Sequence, residues 1–167
     1  LGRLTDDQLH GFCGELSPLG THPEHRVDGI DFSTGSLGMG LPMGAGAALA
    51  ARLQGSIRRV FVLVSDAECN EGSLWEAVMF AAHRGLGNLV AIVDLNGQQA
   101  LGYTRDVLDL SPLAERWRAF GWDVTETDGH DAPGLARLLG GLGLAAEQPQ
   151  VVVARTAAEE MEQVSLP

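Results

Sequence analysis

Lysine is absent from this 167-residue chain. Its eleven basic side chains are all arginine, against 22 acidic ones, for a formal net charge of −11. So acidic a balance argues against nucleic acid or an anionic membrane as a main partner. Any phosphate bound here has to be held by a metal ion and by backbone amides. Cysteine is scarce as well: Cys13 and Cys69 make neither a CxxC redox spacing nor a metal-ligand pattern, and two cysteines do not build a disulfide framework. A reduced, cytoplasmic setting follows as the default. No run approaches the ~18 apolar residues of a membrane span, and no basic segment followed by an apolar core opens the chain, so a soluble protein is expected. With no internal repeat and no long linker, the length suits one domain, residues 1–167.

What is present is an alternation of helix-like and strand-like segments. Thr5-Asp6-Asp7-Gln8 reads as a helix start in which Thr5 caps and Gln8 reciprocates, with Gly11 and Gly14 as stops. His22-Pro23-Glu24-His25 and Asp28-Gly29 read as loop, and Gly35 to Gly40 as irregular. Pro42 suits a first helical turn, and the small residues of Met43 to Leu53 predict a deeply packed helix ending at Gly55. Arg59 to Val64 and Leu89 to Val93 are β-branched, apolar runs, as expected of strands buried on both faces. Between them Ser73 and Glu76 stand in capping-box relation, opening a helix that closes at Gly85. Further on come a helix from Ser111-Pro112 to Phe120, a strand from Trp122 to Thr127, a helix from Ala132 to Leu144 and a strand from Gln150 to Arg155. The order predicts an α/β fold, a parallel sheet flanked by helices on both faces.

The stretch from Ser65 to Gln98 carries the chemistry. Asp66 ends one predicted strand and Asn96 the next; the helix between returns the chain to its starting side, so both side chains leave the same edge of the sheet. That edge is where α/β sheets bind ligands. Asp66 and Asn96 offer hard oxygens, suited to Mg²⁺ or Ca²⁺ rather than zinc, and the amides leading into the helix after Gly72 could meet a diphosphate. The plainer reading makes Asp66 a cap and Asn96-Gly97 a turn.

Several elements in order resemble the transketolase family: Gly35-Ser36-Leu37-Gly38-Met39-Gly40, Asp66 with Asn70-Glu71-Gly72, Trp75-Glu76-Ala77, Asn96-Gly97-Gln98, Phe120-Gly121-Trp122 and Asp128-Gly129-His130-Asp131. The resemblance covers most of Thr5 to Arg155. It implies the thiamine diphosphate-binding fold, with Asp66, Asn96 and the backbone carbonyl of Gln98 as ligands of Mg²⁺, for which Ca²⁺ could substitute. Gly35, Leu37 and Ala67 would lie against thiamine diphosphate. Thr21-His22-Pro23-Glu24 is similar to the family's Gly-His-Pro-Glu element, which implies that His22 contacts the ketol donor and helps proton transfer. Glu71 resembles a glutamate that joins a relay between cofactor sites at a subunit interface; as a bare sequence feature it is an acid favoured at a helix N-terminus.

The family usually has Gly-Asp-Gly where this chain has Ser65-Asp66-Ala67. Should either flanking position need positive φ, or leave no room for a β-carbon, the substitution brings strain and weaker cofactor affinity. After Thr156 the chain turns to Ala157-Ala158-Glu159-Glu160-Met161, where the family has a glycine-containing loop, so a loop is expected to be missing between Thr156 and Ala157. Gly38 to Gly44 has the wrong spacing for a GxGxxG dinucleotide loop. Cys69 lacks the histidine partner a nucleophile needs; His25, His83 and His130 have no metal-ligand spacing; Trp75, Trp117 and Trp122 read as packing residues.

The resemblance therefore implies the N-terminal subunit of a split transketolase, moving a two-carbon ketol unit from a small-molecule ketose to an acceptor. A separately encoded C-terminal subunit would supply the pyrimidine-binding domain, in an α₂β₂ assembly inactive without it. The Ser-Asp-Ala and Thr-His-Pro variants leave open ketol transfer to a carrier-bound or specialised acceptor, and a noncatalytic scaffold that has lost the cofactor.

Overall fold

The computed structural model describes residues 4–143 and 146–157. Two compact units are present, Leu1–Leu37 and Gly38–Pro167. In the first, helix α1 (Asp6–His10) starts as the sequence predicts: the Thr5 hydroxyl accepts from the Gln8 N–H at 3.2 Å, and the Gln8 side-chain oxygen accepts from the Thr5 N–H at 2.8 Å. The rest of this unit's described residues are loop and turn.

Four parallel strands organise the second unit, in the order β1-β2-β6-β5: β1 is Val60–Ser65, β2 Leu89–Leu95, β5 Asp123–Asp128 and β6 Gln150–Arg155. Parallel neighbours need crossovers, supplied by α3 (Gly72–His83) from β1 to β2 and α6 (Ala132–Gly141) from β5 to β6. Helix α2 (Gly40–Leu53) leads into β1, and α5 (Leu113–Ala119) leads into β5. Its small residues let α2 lie directly on the sheet, because a β-carbon on Gly44 would come within 2.3 Å of Val62 Cγ2. Leu41, Leu74, Val78, Val93, Trp117 and Val153 close the core between these helices and the sheet. Each such side chain contributes roughly 1.5–3 kcal/mol by leaving water. The tryptophans pack together, Trp117 against Trp75 at 5.7 Å and Trp122 at 4.8 Å, and the Trp122 indole N–H donates to the Val78 carbonyl at 3.0 Å.

Two expectations need correction. β1 is buried on one face only: Val64 faces the core, whereas Phe61 and Leu63, on the opposite face, are 44 % and 72 % exposed. On that second face Val90 and Val152 are buried at the centre of the sheet, so covering stops short of its β1 edge. Ser73 is not a cap; α3 begins one residue earlier, with Glu71 in the capping position, and the Ser73 hydroxyl donates instead to the Gly38 carbonyl at 3.3 Å. A 3-10 turn (Ala67–Asn70), a two-residue hairpin of β3 (Gln98–Gln99) and β4 (Gly102–Tyr103), and the short α4 (Thr104–Val107) went unread in the sequence. The expectation of a missing loop after Thr156 bears on a segment that runs outside the described residues. Among the described residues, no helix is long and apolar enough to cross a membrane.

Candidate functional site

Ser65 and Asp94 are paired across β1 and β2, so Asp66 and Asn96, each just beyond, stand at the same carboxyl edge of the sheet. The Asp66 N–H donates to the Asp94 carbonyl at 3.1 Å, extending the ladder one step past the strand. Asp66 is only 5 % exposed. One carboxylate oxygen accepts from the Ala67 N–H at 3.0 Å; the other accepts from the Gly97 N–H at 3.0 Å and the Thr104 hydroxyl at 3.2 Å. The Asn96 oxygen accepts from the Gln98 N–H at 2.8 Å, and its NH₂ donates to the Asp94 carboxylate at 3.1 Å. Asp66, Asn96, Gly97 and Gln98 thus meet in one constellation.

Asp66 is short of positive charge. None of the ion pairs among the described residues includes it. Burial pushes its pKa above the usual carboxylate value, the nearby Asp94 charge adds to that rise, and the hydrogen bonds from Gly97, Thr104 and Ala67 work against it. A buried carboxylate without a cation is costly unless something positive joins it. The donors at hand are a carboxylate, an amide oxygen and backbone carbonyls, hard oxygens that fit Mg²⁺ or Ca²⁺ and leave further positions for a ligand's own oxygens. No cluster of three or more histidine, cysteine or acidic side chains among the described residues offers an alternative metal centre.

Ser65 and Ala67 sit without strain. Ser65 ends β1 and Ala67 opens the 3-10 turn; among the described residues only Cys13 and Leu16 combine a side chain with positive φ. The expected penalty for replacing glycine at these positions through positive φ is therefore absent. Ser65 in fact gains a partner: its hydroxyl accepts from the Glu68 N–H at 3.1 Å, while a Glu68 carboxylate oxygen accepts from the Ser65 N–H at 3.1 Å. This reciprocal Ser-x-x-Glu pair was readable in the sequence as a capping box and went unread. The other Glu68 oxygen accepts from the Gly38 N–H at 3.1 Å. Gly38 needs to be glycine, having φ +82° and no room for a β-carbon, which would lie 2.5 Å from Glu71 Cβ. Glu71 consequently packs against Gly38 and makes no cap with its own carboxylate.

Within the N-terminal unit, His22 and Gly35 are neighbours: a β-carbon on Gly35 would come within 3.0 Å of the His22 ring. The Thr34 N–H donates to the Pro23 carbonyl at 3.2 Å, and the Ser33 hydroxyl accepts from the His25 N–H at 2.8 Å while donating to the Glu24 carboxylate at 3.2 Å. Leu37 is half-exposed at the end of this unit. Cys69 is buried, its thiol pushed up to about 12 chiefly by burial and then by the Asp66 and Glu68 charges, which suits a packing role. A cavity of about 490 Å³ near Arg52, Arg84 and Asn88 lies by the residues that lead into β2, at the other end of that strand from Asn96. Arg52 is already spent there on the carbonyls of Arg84 and Gly85. Asp94, Thr104, Glu68 and Thr156 were missed as site residues; Thr104 and Thr156 stand too far along the chain for any local pattern to announce them.

Residues 3–160 match the family model described as transketolase, thiamine diphosphate binding domain. Among curated proteins, the chain is 40 % identical over 156 residues to an apulose-4-phosphate transketolase subunit from Actinobacillus succinogenes, covering 93 % of this chain and 56 % of that protein. It is 38 % identical over 131 residues to the 6-deoxy-6-sulfo-D-fructose transketolase subunit SqwG of a Clostridium species, covering 78 % of this chain and 48 % of that one. The chain thus spans about half the length of these curated relatives. Among solved structures, the transketolase of Campylobacter jejuni superposes with a TM-score of 0.82 at 27 % identity, over 90 % of this chain and 24 % of that one. A Pichia stipitis transketolase in complex with sedoheptulose 7-phosphate gives 0.83 at 28 %, over 92 % and 24 %.

Proposed function

The chain belongs to the transketolase family, matched through its thiamine diphosphate-binding domain, and from that premise we propose that it is the diphosphate-binding subunit of a two-component transketolase. It takes a two-carbon ketol unit from a ketose and delivers it to an acceptor. The observation that carries this reading is the buried Asp66 carboxylate, without an ion-pair partner among the described residues, beside Asn96 at the edge of a parallel sheet. Two similar proteins named as transketolase subunits support the two-component form.

In this reading Asp66, Asn96 and the Gln98 carbonyl would hold Mg²⁺, or Ca²⁺ in its place, whose charge would balance that of a diphosphate. Bound thiamine diphosphate supplies the carbon nucleophile and electron sink that ketol transfer needs. The protein's own part is to bind, orient and keep water out. Gly35, Leu37 and Ala67 line the cofactor, with Gly35 kept bare by the His22 ring packed on it. His22 hydrogen-bonds the donor's hydroxyl groups and moves a proton there, a task suited to imidazole near neutral pH. Glu71, at the head of α3, belongs to the contact with the partner. That partner is a C-terminal subunit with the pyrimidine-binding domain, in an α₂β₂ heterotetramer within the reduced cytoplasm, where Cys13 and Cys69 stay free thiols.

Reconstitution tests this. With Mg²⁺ and thiamine diphosphate, the purified chain alone should not turn over a ketose donor, and addition of the separately produced C-terminal subunit should bring activity. Turnover by the chain alone would refute the two-component form. Calorimetry finding no thiamine diphosphate binding by the mixed subunits would instead leave a noncatalytic scaffold.

A further inference from the structure

Asn96 can serve a cation only through its oxygen, and a primary amide can turn either end outward. The Gln98 N–H favours the oxygen on its own side, donating to it at 2.8 Å, and the partner of the NH₂ group holds the other end. Here it donates to one oxygen of Asp94, and a carboxylate offers acceptors only. The other Asp94 oxygen accepts from the Thr156 hydroxyl. Thr156 comes from the end of β6, sixty-two positions from Asp94 along the chain. It is itself held on several sides. Its N–H donates to the Leu95 carbonyl at 3.1 Å, and the next N–H, of Ala157, donates to His130 Nε2 at 2.9 Å. The Gly129 N–H donates to the Arg155 carbonyl at 2.8 Å, and a β-carbon on Gly129 would come within 2.4 Å of Thr156 Cγ2. The turn after β5 therefore clasps the end of β6, and the absence of a side chain at Gly129 leaves room for Thr156 there.

We propose that Asp94 and Thr156 are positioning residues that fix which end of the Asn96 amide faces the cation. The assignment rests on the metal reading of the site given above. Thr156 orients the Asp94 carboxylate, Asp94 takes the NH₂ of Asn96, and the amide oxygen, beside the Gln98 N–H, is the end left for the cation. Groups that orient a metal ligand in this way commonly govern affinity by about 10–100-fold.

Two measurements on the full chain test it. In the metal-free protein, the Asn96 NH₂ protons, assigned through their loss in Asn96→Asp, should exchange slowly with water by NMR. Exchange should quicken several-fold in Thr156→Val and in Asp94→Asn, and return to the original rate in Thr156→Ser, which keeps the hydroxyl. In a Mn²⁺ titration with thiamine diphosphate present, Thr156→Val should bind about tenfold or more weakly, Thr156→Ser should match the unaltered chain, and any fall of the metal-free melting temperature in Thr156→Val should be small and restored in Thr156→Ser. Equal exchange and equal Mn²⁺ affinity in Thr156→Val would overturn the assignment, as would a loss of affinity that tracks a fall in metal-free stability and that serine does not restore. If the unaltered chain binds no Mn²⁺ with thiamine diphosphate, the metal reading itself fails and this assignment with it, an outcome distinct from a variant that behaves like its parent.

Discussion

The Glu68 carboxylate joins two backbone segments twenty-seven positions apart, accepting from the Gly38 N–H and the Ser65 N–H, each at 3.1 Å. One side chain thereby fastens the lead-in of α2 to the turn that carries Asp66. Glu68→Ala removes both acceptors and leaves the two N–H groups to water or to nothing. A loss of about 1–3 kcal/mol is expected from the part-buried donors, read as a lower urea midpoint with an unchanged slope. Glu68→Gln should fall between, because its NH₂ can satisfy neither N–H and only one oxygen remains.

Glycine at the family's usual positions around Asp66 should bring no benefit. Ser65 and Ala67 already occupy ordinary strand and 3-10 conformations, so Ala67→Gly adds only freedom in the unfolded chain and should cost about 0.5–1 kcal/mol. Ser65→Gly also deprives the Glu68 N–H of its acceptor. Both variants should bind Mg²⁺ and thiamine diphosphate no more tightly than the parent in calorimetry. A marked gain in affinity would mean that the β-carbons crowd the diphosphate after all.

How far the sequence carried this reading depends on the range of each signal. Asp66 and Asn96 were legible because strand periodicity and a single intervening helix fix which edge they leave from, and the parallel β1–β2 register realises that arrangement. Trp117 and Trp122 were legible as packing for the same reason: large apolar side chains on predicted elements have one sensible place to go. Phe61 and Leu63 misled, since an apolar run looks alike whether one or both faces are covered. Ser73 misled because α3 already starts at Gly72, after Glu71, and the Gly38 carbonyl takes the Ser73 hydroxyl through a contact thirty-five positions away. Thr104 on Asp66 and Thr156 on Asp94 are contacts between segments 38 and 62 positions apart. No local pattern encodes such pairs.

Asp66 itself should separate binding from folding. Asp66→Asn keeps the shape but turns one hydrogen-bond acceptor into a donor against the Gly97 or Ala67 N–H, so Mg²⁺ affinity with thiamine diphosphate should fall more than ~100-fold, beyond the range seen for supporting residues. Stability without metal should change by less than about 2 kcal/mol, because the lost hydrogen bond is offset by removal of a buried charge that no cation balances. Chemical unfolding with and without Mg²⁺ reads both effects. The stabilisation that Mg²⁺ and thiamine diphosphate give the parent should be missing from the variant.

The two thiols should differ sharply in reactivity. Cys13 is exposed, whereas Cys69 is buried, with its pKa raised from 9.0 to about 12 by desolvation and by the charges of Asp66 and Glu68. Since the thiolate is the reactive form, a maleimide or aromatic disulfide reagent at pH 8 should label one cysteine per chain quickly, and the second only on unfolding. The same shift acts on stability. Unfolding returns the Cys69 thiol to its ordinary value, so its neutral form favours neither state below about pH 9, and ionisation favours the unfolded chain increasingly as pH rises from there toward 12. Cys69→Ala should flatten this alkaline loss while costing some stability at neutral pH through the space it leaves. Rapid labelling of both thiols in the folded chain would show that the segment around Asp66 opens readily.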